Sequence, residues 1–195
     1  MAGGNNKKFM KDPVTFIRTH QIMVNANPAG ASVLPAGNAD IDLVSIDPRN
    51  PEFIRLEDFT RRKHGWVGAK PVKAFFLPGV HNNTSTLNIN TARSYMFTAD
   101  LSGCLFAAYG ADASAVTVEH VNVRDKKALV PILPRAQNII AANHAFYKIL
   151  SPVAIPGADA NHVKVYAANS SVVGILTGGS WRFHYKPAMT TVAML

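Results

Sequence analysis

VKAFFLPGVHNNTSTLNINTARSYMFTADLSGCLFAAYGADASAVTVEHVNV, residues 72–123, is the stretch that decides the fold. It contains five short runs of β-branched and aromatic residues: VKAFFL (72–77), STLNI (85–89), SYMFTA (94–99), LFAAYG (105–110) and AVTVEHVNV (115–123). Gly, Pro, Asn and Asp separate them, as turns separate the strands of a sheet. Towards the C-terminus, HVKVYAA (162–168), SVVGILTG (171–178) and WRFHYKP (181–187) read the same way, the last two meeting at Gly178-Gly179. Without a following phosphate-binding helix that glycine pair is a turn, not a nucleotide loop. Trp181, Phe183 and Tyr185 alternate and read as core.

One helix interrupts the strands. In RAQNIIAANHAFYKIL (135–150), Ile139, Ala142, Phe146 and Leu150 fall near a 3.6-residue period behind Pro134. Towards the N-terminus, ADIDLVSI (39–46) predicts a strand closed by Asp47-Pro48. Phe53, Leu56 and Phe59, in the charged run 49–71, predict a short surface helix. Residues 1–38 read as a lightly structured lead-in with one candidate element at 14–24 and loop chemistry over 25–38. Strands, one helix and more strands argue for a single α+β domain over residues 1–195 rather than a βαβ series.

Composition limits the function. The 195 residues are 48% hydrophobic and 16% charged, enough for one core without staples. No apolar run reaches the ~20 residues of a membrane-spanning helix, and MAGGNNKKFMKDP has no apolar core of a cleaved leader. The net charge of +8 favours anionic partners. The basic residues are scattered, however, and Arg61, Arg62, Lys63 and His64 read as a solvated face rather than a nucleic-acid module. One cysteine permits no internal disulfide and suits a reducing compartment. No metal-binding spacing occurs, so neither a metal nor another cofactor is expected.

That cysteine is Cys104, in FTADLSGCLFAAYG (97–110). It reads either as a small buried hydrophobe or as a nucleophile held at a turn. Ser102-Gly103 lets the backbone bend and brings amides near the sulfur, where they could hold an oxyanion. His120 follows sixteen residues later, within reach of a hairpin return, and could lower the thiol pKa and shuttle its proton. It also shares a strand face with Val116 and Val118, as a core histidine would. No other histidine lies between residues 82 and 143, and His144 is the fallback. Asp100 reads mainly as a polar strand-end residue that could orient a partner.

Phe97-Thr98-Ala99-Asp100-Leu101-Ser102-Gly103-Cys104 resembles the core motif of the Burkholderia lethal factor toxins. The LSGC portion is shared with the catalytic domain of the cytotoxic necrotizing factors, and the CheD-type deamidases are more loosely similar. FFLPG (75–79) and VVGILTG (172–178) also resemble lethal factor stretches. The resemblance implies a sandwich of mixed sheets flanked by helices, like the necrotizing factor catalytic domain. It implies a glutamine deamidase with Cys104 as nucleophile, His120 as base and Thr98 as orienting residue, with the backbone at Ser102 and Gly103 on the oxyanion. The expected partner is a host protein, of the translation-initiation helicase or small GTPase class. The protein itself would be a monomeric bacterial effector acting in the host cytosol, exported without a cleaved leader. Another thiol acyl-transfer enzyme and a non-catalytic basic binding module remain the alternatives.

Overall fold

VKAFFL is buried on both faces: Val72, Ala74 and Phe76 point one way, Phe75 and Leu77 the other. Such a strand needs a packed layer on each side, and the rest of the molecule supplies both. A computed structural model of the protein describes residues 4–24, 34–61, 70–122, 132–166, 170–187 and 193–194.

The elements run α1 (Gly4–Lys11), α2 (Pro13–Thr19), β1 (Gln21–Met23), β2 (Gly37–Asp47), β3 (Asn50–Asp58), β4 (Val72–Leu77), β5 (Asn83–Ile89), β6 (Tyr95–Thr98), β7 (Leu105–Gly110) and β8 (Val116–Asn122). They continue with α3 (Ile132–Ala141), β9 (Phe146–Ser151), β10 (Val163–Val165), β11 (Ser170–Thr177), β12 (Ser180–Pro187) and β13 (Ala193–Met194). An eight-stranded sheet has the order β1-β3-β2-β4-β6-β11-β12-β13, and a five-stranded sheet the order β10-β9-β7-β8-β5. Both are mixed: β1–β3, β4–β6 and β9–β10 pair in parallel and the other neighbours antiparallel.

Three apolar clusters bind the layers. α1 and α2 bury Phe9, Phe16 and Ile17 on one face of the large sheet, against Ile41, Leu43, Phe76 and Phe97. Its other face meets the small sheet through Phe75, Leu77, Met96, Phe106, Val118, Trp181 and Phe183. α3 covers the far side of the small sheet, packing Ile132, Ala136 and Ile139 on Leu105, Ala107, Val121 and Ile149. The result is one α+β domain, a sandwich of two mixed sheets with helices outside. β11 and β12 close through Gly178 and Gly179, whose φ of +59° and +78° suit a tight two-residue hairpin.

Three expectations need correction. Residues 4–23 are not a lead-in, because they form α1, α2 and β1 and bury Phe9, Phe16, Ile17 and Ile22. Asp12 caps α2 by accepting the Thr15 N–H at 3.0 Å, with Pro13 opening the helix. The expected helix at 49–71 is instead β3 followed by a short 3-10 turn at Phe59–Arg61. The core positions there, Ile54 and Leu56, alternate with period 2, and Phe53 is only half-buried.

The helix expected over 135–150 ends at Ala141. Pro134 lies in its first turn, where a missing N–H costs nothing. Asn143 then takes a φ of +52° and donates its N–H to the Ile140 carbonyl, ending the helix. Phe146–Ser151 pairs antiparallel with β7. Residues 25–33 of the expected loop, Arg62–His64 of the basic cluster, Val123, and 167–168 of the late strand lie outside the described residues.

Asn6 ties α1 to the sheet. Its buried side chain donates to the Lys70 carbonyl at 3.0 Å and accepts the Leu43 N–H at 2.8 Å. Asn6→Ala would strand both backbone groups and should lower stability by about 1–3 kcal/mol. Urea denaturation tests this, and an unchanged midpoint would return residues 4–11 to a dispensable lead-in.

Candidate active site

The site lies where the chain leaves the large sheet at the end of β6 and enters the small one at β7. The loop between them is pinned along its length. The Ala99 N–H donates to the Leu77 carbonyl at 2.9 Å. Leu101 and Ser170 exchange backbone hydrogen bonds of 2.7 and 3.1 Å. The Cys104 N–H donates to the Tyr166 hydroxyl at 2.8 Å, and that hydroxyl donates to the Cys104 carbonyl at 2.7 Å. Gly103 makes the bend with φ +81°, a conformation that favours glycine.

Cys104 is 3% exposed, and the adjacent Ser102 and Gly103 face solvent. The thiol donates a long contact of 3.9 Å to the Ser102 carbonyl. The sulfur belongs to the inter-sheet core with Phe106, Leu101 and Tyr166. The amides expected to form an open oxyanion site are not open. The Cys104 N–H is held by Tyr166, and the Gly103 amide also interacts with that phenol.

His120 stands on β8 directly opposite Phe106 of β7, and Cys104, just before β7 and two residues from Phe106, shares that face. Such diagonal neighbours lie about 7–8 Å apart along the backbone, within reach of a ring and a short side chain. The imidazole is 0% exposed and both its nitrogens lack a hydrogen-bond partner. Burial without a partner pushes its pKa down to about 4, so the ring is neutral at pH 7. No hydrogen bond joins ring and sulfur here. Thr98 follows Met96 on the inter-sheet face, and its hydroxyl accepts the Val172 N–H at 3.0 Å. It thus anchors β6 to β11, a backbone group rather than the imidazole.

Thr98, Cys104 and His120 therefore face one inter-sheet space. His144 does not: its ring packs on Tyr109, 4.8 Å between centroids, on the α3 side of the small sheet. Asp100 accepts the Val24 N–H at 3.2 Å and so orients the N-terminal segment. Gly79, Ser85 and Tyr166 were missed as site residues. A Cβ on Gly79 would lie 2.9 Å from His120 Cε1 and 3.3 Å from the Ala99 Cβ, so this glycine makes room for the ring. In the sequence, Gly79 closes the FFLPG stretch.

No family model matches the chain, and no curated protein matches it in sequence. Among solved structures it is similar to the C-terminal domain of CNFy from Yersinia pseudotuberculosis, at 7% identity and a TM-score of 0.49, covering 99% of this chain and 97% of that one.

Gly79→Ala should displace the imidazole and cost about 1–3 kcal/mol in thermal or urea unfolding. Wild-type stability with an unmoved ring would show the contact to be soft.

Acid should act on the site through two opposed groups. His120 has its folded pKa lowered from 6.5 to about 4, so its stability contribution is present above that window and lost as pH falls through it, on the order of 3 kcal/mol. Burial raises Asp100 from 3.8 to about 6, so its contribution is present below the window and lost as pH rises through it. Between pH 6 and 4, Asp100→Asn should lose more stability than wild type and His120→Gln less. Parallel curves for all three would contradict both assignments.

Proposed function

We propose that the protein is a toxin-like deamidase that converts a specific glutamine of a host protein to glutamate. The observation carrying this reading is the shared inter-sheet space in which the chain's only cysteine lies diagonally from a neutral, unpartnered imidazole. The resemblance of FTADLSGC to the lethal factor motif, and of its LSGC portion to the necrotizing factors, supports it. A helicase of translation initiation or a small GTPase is the proposed target class, and a bacterial effector acting in the host cytosol the proposed setting.

His120 takes the Cys104 proton, and the sulfur attacks the carboxamide carbon. The oxyanion replaces the Tyr166 phenol oxygen on the Gly103 and Cys104 amides. The imidazolium returns its proton to the departing nitrogen, ammonia leaves and a thioester remains. Water, its proton accepted by His120, attacks the thioester carbon. Glutamate is released and the sulfur recovers its proton. A neutral ring is the form needed at the first step, and the low pKa of His120 keeps it in that form. With Cys104 3% exposed, glutamine must enter past the solvent-facing Ser102–Gly103 turn. Thr98 acts at a distance by holding the strand end from which the loop departs.

Incubation with a eukaryotic lysate, followed by mass spectrometry for new glutamates, tests this reading. The wild type should convert a glutamine that Cys104→Ser and His120→Ala leave intact, each losing at least about a thousandfold in rate. Cross-linked products would identify a transglutaminase and cleaved backbones a peptidase. Retained binding with unchanged substrate would leave a basic binding module.

A further inference from the structure

Ser85 and His120 face each other directly across β5 and β8, and Phe106 flanks the histidine from β7. Ser85 alternates with Leu87 and Ile89, which pack in the inter-sheet core, so its side chain shares the face of His120 and Cys104. Directly opposed residues hold their Cβ atoms roughly 5 Å apart. Ser85 is 9% exposed, and its hydroxyl oxygen is buried without a hydrogen-bond partner, as are both nitrogens of His120. Two neighbouring orphan groups in a core are costly, because each lost its water without replacing it. A hydroxyl and a neutral imidazole satisfy one another by small side-chain rotations.

We propose that Ser85 is the positioning residue of the site, accepting the N–H of the His120 ring nitrogen turned away from Cys104. The inference rests on the Cys104–His120 reading above and supplies its third member. The nucleophile just before β7, the base on β8 and the orienting group on β5 then share one face of the small sheet. A neutral ring carries one N–H. Fixing that proton toward Ser85 leaves the opposite nitrogen bare, as a base for the thiol must be. When the ring becomes imidazolium, the serine oxygen remains its acceptor and keeps it in plane with the sulfur. Among the described residues no carboxylate is hydrogen-bonded to this ring, so the orienting role falls to the hydroxyl.

Nitrogen NMR of the His120 ring in the full chain tests this without needing a substrate. In wild type the ring should show one tautomer. In Ser85→Ala the two tautomers should mix, and Ser85→Thr, which restores the hydroxyl, should return the single form. Deamidation by Ser85→Ala should fall roughly five- to tenfold with KM little changed. A purely structural Ser85 predicts the reverse: deleting an unsatisfied hydroxyl leaves the ring signals unchanged and the protein as stable or more so. Unchanged ring signals in a folded Ser85→Ala would overturn the proposal, even if wild type deamidates. A tautomer change in a protein that deamidates nothing would uphold the positioning role and sink the deamidase reading.

Discussion

Everything near the site depends on how the chain crosses from one sheet to the other between Thr98 and Leu105. Where that crossing is buried no water reaches its backbone, so the amides and carbonyls there need partners from neighbouring elements. Leu77 serves Ala99 from one strand, Ser170 serves Leu101 from another, and the Tyr166 phenol serves both groups of Cys104. These partners belong to segments far apart in sequence. The cysteine is thus fixed by the assembly of both sheets. Strong fixation at one residue is what a nucleophile needs for a defined line of attack.

The strands of the second half were legible in the sequence because each is short, apolar and bounded by a turn residue. VKAFFL, LFAAYG and the 171–187 hairpin stand where their composition placed them. Periodicity failed where a pattern ran across a boundary. Ile139 and Leu150 belong to different elements that happen to keep one spacing, and only the φ of Asn143 separates them. α1 escaped notice because the fold needs few of its residues: Phe9 and the buried amide of Asn6 do most of its packing among polar neighbours. At the site, Cys104 and His120 were singled out as candidates from the residues, and Thr98 by the resemblance. Gly79 and Ser85 were not, because their importance comes from what lies across a strand pair or a sheet gap, which one chain read in order does not display.

The polar groups of the interior divide into two kinds. On the α3 side, Glu119 accepts from Tyr109 at 2.6 Å and from Arg135 Nε at 2.8 Å, so a buried carboxylate is matched on both oxygens. That network fastens the helix to the sheet and carries no unmet demand. On the other face of β8, one residue along, His120 has no such match. A fold able to satisfy Glu119 so fully leaves the adjacent imidazole unsatisfied at a cost of a few kcal/mol. Unmet polar demand beside a buried cysteine is what the proposed contact with Ser85 would relieve.

Parallel pairing explains why two sequence stretches about twenty residues apart act on one ring. Antiparallel neighbours end at opposite edges of a sheet, but β4 and β6 are parallel and both end on the same side. Their exits, Pro78-Gly79 and Ala99-Asp100, therefore run side by side toward the small sheet, joined by the bond from Ala99 to Leu77. Gly79 lies against the edge of the His120 ring and beside the Ala99 Cβ. β5 and β7, which receive those two exits, lie on either side of β8 and so bracket the histidine from both flanks. The exit of β4 supplies Gly79, β5 supplies Ser85 on one side, and the residue just before β7 supplies Cys104 on the other. The FFLPG and LSGC stretches thus converge because of topology.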